Sequence, residues 1–327
     1  MIISKTPYRV SFFGGGTDYA CWYRENQGQV LTTTIDKYCY ITCRVLPPFF
    51  KHKHRIVYST IEDVTDIAKI QHPSVRACMQ FMNIKEGLEI HHDGDLPARS
   101  GLGSSSAFTV GLLNALYALK GKMVSPEQLT ADAIYVEQEA LKENVGAQDQ
   151  VIAAHGGCNI VTFGHQNHLQ VRPLTLPSSR ITELQEHLML FYTGVQRIAS
   201  DIAGAQIKNT PARKKDLTVM CAMVDQAVEI LNSRTDISEF GRLMHENWKI
   251  KRNLTDKITN PVLDEMYSAA LKSGALGGKI LGAGGGGFML IFADPKKQSG
   301  IRTSLKNLLH VPFKFDYSGS SIIFCRQ

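Results

Sequence analysis

Leu96-Pro97-Ala98-Arg99-Ser100-Gly101-Leu102-Gly103-Ser104-Ser105-Ser106-Ala107 joins a strand-like run, Leu88-Glu89-Ile90-His91-His92, to a segment with helical spacing. In that segment, Ser104 to Leu119, the apolar residues Phe108, Leu112, Leu113, Leu116 and Leu119 recur close to the 3.6-residue period. The glycines allow a ligand to approach the backbone closely. The helix that follows offers unpaired N–H groups and the positive end of its dipole. Gly101, Gly103, Ser104, Ser105 and Ser106 are therefore candidates for a phosphate cradle, with hydroxyls available to a phosphate or to Mg²⁺. It is not a Walker A loop, because it lacks Gly-Lys-Ser/Thr. The same residues also fit a Gly/Ser turn with a capping serine, and the local pattern leaves both readings open.

Outward from this loop, the first half of the chain alternates strand and helix signals. Residues 9–13, 30–35, 38–45, 55–59, 159–163 and 169–171 are rich in β-branched and aromatic side chains. Helices are expected over 74–82 and from Ser125-Pro126-Glu127-Gln128, with a capping serine and an early proline, to about Lys142. A Pro/Ser-containing connector, Pro173 to Ser179, suggests a boundary that gives domains 1–175 and 176–327. Beyond it come a strand at 188–192, helices between about 197 and 273, a glycine-rich hairpin at 277–293, a helix after Pro295 and two terminal strands. Strands and helices segregated in this way predict an α+β fold of two domains.

Two more glycine-rich segments and two carboxylates stand out. Gly282-Ala283-Gly284-Gly285-Gly286-Gly287 matches G-x-G-x-x-G, but a strand-like run, Phe288-Met289-Leu290-Ile291-Phe292, follows where a dinucleotide fold needs a helix. A hairpin loop packed close to other backbone fits better. Arg9-Val10-Ser11-Phe12-Phe13-Gly14-Gly15-Gly16-Thr17-Asp18 delivers an arginine on a strand, then glycines, then a carboxylate suited to sugar hydroxyls or to a turn. Glu137 and Asp149 have the chemistry that phosphoryl transfer needs, a Mg²⁺ carboxylate and a group to orient or deprotonate the acceptor hydroxyl. A solvated helix face and a helix start are their other readings.

Composition narrows the function classes. The 327 residues are 43% hydrophobic, enough for a sizeable core. No run approaches the roughly 18 apolar residues of a membrane span, and Met1 to Pro7 lacks signal-peptide character. The seven cysteines are scattered without a C-x-x-C, so reduced thiols and a cytoplasmic location are expected. The net charge of +6 is spread out apart from Lys51-His52-Lys53-His54-Arg55, and no motif predicts nucleic-acid binding.

The three glycine-rich segments, in this order, resemble the motifs of the GHMP kinase superfamily of galactokinase, homoserine, mevalonate and phosphomevalonate kinases. Within it, Arg9 to Asp18, Leu31 to Tyr38 and Gly277 to Gly284 are most similar to bacterial D-glycero-D-manno-heptose 7-phosphate kinases. Galactokinase has Gly-Glu-His-Thr-Asp where this chain has Gly14-Gly15-Gly16-Thr17-Asp18. The resemblance implies a first domain like the second domain of ribosomal protein S5 and a ferredoxin-like α+β second domain, with the active site between them. It implies ATP and Mg²⁺ as cofactors and a sugar phosphate as acceptor, phosphorylated on its anomeric C1 hydroxyl. By position, Asp149 and Arg9 become catalytic, and Gly101, Gly103, Ser104, Ser105 and Ser106 bind the nucleotide. Glu137, with Ser105, becomes the metal site. Gly14, Gly15, Gly16, Thr17, Asp18, Gly284 and Gly285 become substrate-binding. Lys37, Arg197 and the Lys51–Arg55 run are the cations available for the sugar's phosphate. A fucose- or galactose-type 1-kinase and a non-catalytic sensor with the same fold are the competing readings. Oligomeric state is left open.

Overall fold

The computed structural model describes residues 1–98, 100–165, 168–195 and 199–326. Its first half runs β1 (Ile2–Phe13), α1 (Ala20–Tyr23), β2 (Gly28–Val45), β3 (His54–Val57), β4 (Ile61–Val64), α2 (Pro73–Phe81) and β5 (Leu88–Gly94). It continues with α3 (Ser104–Leu119), α4 (Pro126–Ile134), α5 (Gln148–His155), β6 (Cys158–Phe163) and β7 (Leu169–Pro173). The second half holds α6 (Ser178–Glu186), β8 (Leu188–Tyr192), α7 (Ala199–Asn209), α8 (Lys214–Asn232), α9 (Ser238–Lys251) and α10 (Pro261–Lys272). It ends with β9 (Ala275–Ile280), β10 (Phe288–Ala293), α11 (Gln298–Ser304), β11 (Leu309–His310), β12 (Phe315–Asp316) and β13 (Ser321–Cys325).

The expected α+β fold is the one observed. One sheet runs β13-β1-β2-β5-β3-β4, with β12, β6 and β7 joined through β2, and the other runs β11-β8-β10-β9. Several local expectations change. The two strands expected at 30–35 and 38–45 form one strand, β2, with a register shift opposite Pro7 and Tyr8. Pro7 has no N–H to give the ladder, and Asp36 turns instead to Lys314, accepting its N–H at 2.8 Å. α1, β4 and α6 are not expected from the sequence, α5 begins beside Asp149 as its helix-start reading has it, and α6 begins inside the Pro173–Ser179 connector. The chain's last strand leaves the second half and pairs antiparallel with β1. The 175/176 division therefore separates the two sheets in sequence except for residues 315–325.

α3 is the buried axis of the first half, with Val110, Leu112, Leu113 and Leu116 fully enclosed. A helix apolar on nearly every side belongs inside a core. The two halves share that core. Phe13 and Phe12 on β1 meet Phe240 on α9 edge-on, with centroids 5.1 and 5.7 Å apart. Such pairs add about 0.5–1.5 kcal/mol beyond area burial, and they fix α9 against the strand that carries Arg9.

Candidate active site

Arg9 is buried on β1 and reaches across to α5. Its Nε and one terminal nitrogen donate to the two oxygens of Asp149, each at 2.7 Å, and the other terminal nitrogen donates to the Gly101 carbonyl at 2.7 Å. A guanidinium fork matched to a carboxylate holds both groups in one plane. Asp149 keeps about a quarter of its side chain exposed, toward a cavity. Asp18 stands close by. It accepts the Gly16 N–H at 2.8 Å, and its own carbonyl accepts the N–H of Ala147 at 2.9 Å. A Cβ on Gly146 would lie 1.9 Å from Asp18 Oδ2, so glycine is required for this approach. Burial first, and the nearby Asp149 charge, push the Asp18 carboxyl up from its ordinary value, against the opposing Gly16 hydrogen bond.

The phosphate-loop residues border the same cavity, whose volume is about 570 Å³. Gly101 and Gly103 adopt left-handed φ of +81° and +74°, and α3 starts at Ser104 without a side-chain cap. A helix start bordering a cavity is the usual place for an anion. At the far end the cavity is walled by Tyr58, His72, His92 and Phe108. His72 stacks on Phe108 at 4.7 Å, and His92 meets it edge-on at 5.0 Å. Burial pushes both histidines down from their ordinary value.

Glu137 is wholly buried, not on a solvated face, because α4 widens into π-type turns over Tyr135–Ala140. Such bulges re-aim side chains and recur at functional sites. Ser106 Oγ donates to Glu137 Oε2 at 2.8 Å, Gln150 donates to the same oxygen, the Thr109 hydroxyl stands beside the carboxyl, and among the described residues Oε1 has no close hydrogen-bond partner. Burial pushes the carboxyl up to about 7. Ser105, expected on the metal, is exposed.

Other expected residues stand behind the wall. Thr17 is fully buried and donates to the carbonyls of Gly14 at 2.8 Å and Gln29 at 2.9 Å, closing a turn. A Cβ on Gly14 would sit 1.9 Å from the Gln29 carbonyl. Gly284 and Gly285 pack on Ile258, whose carbonyl accepts the Gly285 N–H at 2.7 Å. Gly15 and Gly16 do border the cavity, and Gly282 and Ala283 represent the third loop there. Lys37 pairs with Asp36 at 3.1 Å, and neither it nor the 51–55 run borders the cavity. Arg197 lies outside the described residues.

Ser11, Gln206 and Lys251 are among the wall residues that the sequence does not single out as site residues, as are His72, His92 and Phe108. Among the described residues, Ser11 Oγ and Gln206 Nε2 are buried without partners. Lys251 is 3% exposed and falls on the apolar stripe of α9 formed by Phe240, Met244 and Trp248. That interruption of the stripe was the available signal.

The pattern of the GHMP kinases N terminal domain matches residues 68–157, and that of the GHMP kinases C terminal matches residues 223–310. The chain belongs to the GHMP kinase superfamily. This GHMP kinase is 28% identical over 316 residues to D-glycero-alpha-D-manno-heptose 7-phosphate kinase of Campylobacter jejuni, with 93% of each chain covered. It is 25% identical over 333 residues to galactokinase of Pyrococcus furiosus, with 90% of each covered. In fold it resembles the crystal structure of a D-glycero-D-manno-heptose 1-phosphate kinase from Bacteroides thetaiotaomicron, with a TM-score of 0.81 at 21% identity over 100% of both chains. No described helix of this GHMP kinase is long and apolar enough to cross a membrane.

Proposed function

We propose that this GHMP kinase transfers the γ-phosphoryl group of ATP to the anomeric C1 hydroxyl of D-glycero-D-manno-heptose 7-phosphate. The observation that carries the reading is the Arg9–Asp149 fork beside Asp18, in one cavity with the α3 N-terminus. The similarity to the Campylobacter jejuni enzyme supports the substrate class.

In this reading the triphosphate lies along the N–H groups of Gly103 to Ser106, and the base lies against His72, His92 and Phe108. Asp18, Ser11 and Gln206 take sugar hydroxyls. Asp149 accepts the C1 proton as that oxygen attacks phosphorus, while Arg9 fixes the plane of its carboxylate. The buried, unpartnered Glu137 Oε1 beside Ser106 fits a Mg²⁺ site, so Glu137 and Ser106, not Ser105, would hold the ion. Bound there, Mg²⁺ would offset triphosphate charge. We place the domain boundary at 175/176, with residues 315–325 returning to the first domain. We also propose a cytoplasmic location, which suits the seven free cysteines.

One observation favours a neutral-sugar 1-kinase as the second reading. Among the described residues only two basic side chains of the Arg/Lys type border the cavity, Arg9 and Lys251, and Arg9 is engaged by Asp149. The test is kcat/KM for heptose 7-phosphate, heptose, galactose and fucose under one set of conditions. The proposal expects the phosphorylated sugar to lead by about 100-fold or more, from two charge-assisted contacts. Equal turnover of an unphosphorylated sugar selects the second reading. No ATP consumption with any sugar selects a sensor.

A further inference from the structure

α9 delivers Lys251 to the point where the two glycine-rich loops touch. Its ammonium donates to the carbonyls of Gly282, at 2.6 Å, and Ile280, at 3.4 Å. A Cβ on Gly282 would lie 2.8 Å from the Cα of Gly101. The Gly101 carbonyl in turn accepts from Arg9, which grips Asp149. Lys251 is thus linked through Gly282 to the phosphate loop, and through that loop's Gly101 carbonyl to the Arg9–Asp149 pair.

An ammonium has three N–H donors, and two of them are used. Among the described residues Lys251 forms no ion pair, although it is buried and borders the cavity. The charges around it do not cancel its own. Arg9 and Asp149 neutralise each other, which leaves one carboxylate, Asp18, facing two buried amines, Lys251 and Lys279. A buried ammonium without an anion is costly unless the site receives one. The anion that passes between the phosphate loop and Asp149 is the phosphoryl group in transit.

We propose that Lys251 is a further catalytic residue, whose third N–H donates to a non-bridging oxygen of the phosphoryl group as it moves from ATP to the acceptor. This rests on the kinase reading above. The bond from phosphorus to the β,γ-bridging oxygen breaks, and its electron pair leaves with ADP. The acceptor oxygen forms the new bond to phosphorus and gives its proton to Asp149. Lys251 forms no covalent bond and keeps its proton throughout. Donors held at the place where charge gathers act without reorganisation.

Supporting this role, burial first and then the Arg9 charge bring the Lys251 amine down to about 8, while Asp18 and Asp149 hold it up. Four charged groups face it: Arg9 from β1, Asp18 from the turn after it, Asp149 from α5 and Lys279 from β9. Lys279 donates to the Phe12 carbonyl at 3.0 Å, and burial holds it well below the ordinary amine range.

The experiment compares wild type with Lys251→Met, which keeps the length of the side chain without its charge, and with Lys251→Arg. With ATP and the best sugar of the panel, Lys251→Met should lower kcat by about 100-fold or more, with both KM values within about threefold. The fall in wild-type rate above about pH 8 should vanish in this variant. Lys251→Arg should recover part of kcat and lose that fall as well. Retained kcat in Lys251→Met overturns the proposal. So does a raised KM for the phosphorylated sugar alone, which would place Lys251 on the acceptor's own phosphate. A lowered melting temperature with the alkaline fall intact would make it a strut between loops. If wild type phosphorylates no sugar, the kinase reading fails separately. Affinity for ADP with fluoroaluminate then tests Lys251 directly, with a loss of about 100-fold expected and equal affinity overturning it.

Discussion

In the loop at 100–106, Gly101 and Gly103 take left-handed backbone and set the start of α3 at the edge of the cavity. In the loop at 282–287, the glycines turn toward protein. Gly284 lies against Ile258, Gly286 against Val195 and Gly287 against Ser100. The Gly287 N–H goes to the Val195 carbonyl at 2.8 Å, and the Phe288 N–H goes to the Ser100 carbonyl at 3.0 Å. Both loops share a composition, and in sequence both match phosphate-binding patterns. What separates them is the element that follows. A helix leaves unpaired donors at its start, whereas a strand pairs its donors in the ladder. The first loop lines the cavity, and the second packs against the first.

The largest effect should come from breaking the second loop. A Cβ on Gly287 would lie 2.2 Å from the Ser100 carbonyl, at a φ of +80°. Gly287→Ala must therefore move backbone in both loops. A loss of about 3 kcal/mol or more is expected, with nucleotide affinity falling in parallel. Urea unfolding with and without ATP would measure both. Unchanged stability would show that the loops do not lean on each other.

The next effect sharpens the contrast through charge. Glu137, behind the first loop, binds its proton more tightly folded, near pH 7, than unfolded, near the ordinary glutamate value. Between those values the folded state holds the extra proton, so stability falls as pH rises through about 4.5 to 7 and levels off above. The fall is up to about 3 kcal/mol for this group. Without divalent cation, urea midpoints should follow that trend in wild type and flatten in Glu137→Gln. A wild-type curve that rises over the window would contradict the raised affinity of this buried carboxyl for its proton.

Gly103 probes the first loop with less structural damage. A Cβ there would be 3.2 Å from Arg9 Cγ and 3.4 Å from Asp149, close but not impossible. Gly103→Ala should cost only about 1–2 kcal/mol of stability while lowering kcat/KM by about 10–100-fold, because the fork and the cradle both shift. Loss of stability alone, with normal kinetics, would make this loop resemble the other.

The site was legible where chain order and residue type carried the information. Arg9, Asp18 and Asp149, each singled out by residue type, are neighbours because a strand, a turn and a helix start deliver them to one point. It was not legible where a side chain's direction decides. The π-type turns that bury Glu137 leave no mark in a pattern of charged and apolar residues. Thr17 reads as a ligand hydroxyl, but its turn consumes it. Lys251 reads as one of several lysines in Trp248-Lys249-Ile250-Lys251, and only its position on the apolar stripe sets it apart. The return of β13 to β1 was equally hidden, because pairing across the whole chain has no local signature.

The smallest effect distinguishes neighbours within the first loop. Ser105 and Ser106 are equivalent in sequence, but successive residues of a helix point about 100° apart. That rotation turns Ser106 inward onto Glu137 and leaves Ser105 exposed, with its carbonyl accepting from Thr109 Oγ1 at 3.3 Å. Ser106→Ala removes a buried hydrogen bond to a carboxyl and should cost about 1–2 kcal/mol of stability. It should also raise the Mg²⁺ concentration at half-maximal rate. Ser105→Ala should change stability by less than about 0.5 kcal/mol, as exposed substitutions do, and leave that Mg²⁺ dependence alone. A Mg²⁺ titration of the rate for both variants decides the order. If Ser105→Ala moves the titration and Ser106→Ala does not, the metal hydroxyl is Ser105. The contact between Ser106 and Glu137 is then structural packing behind the loop.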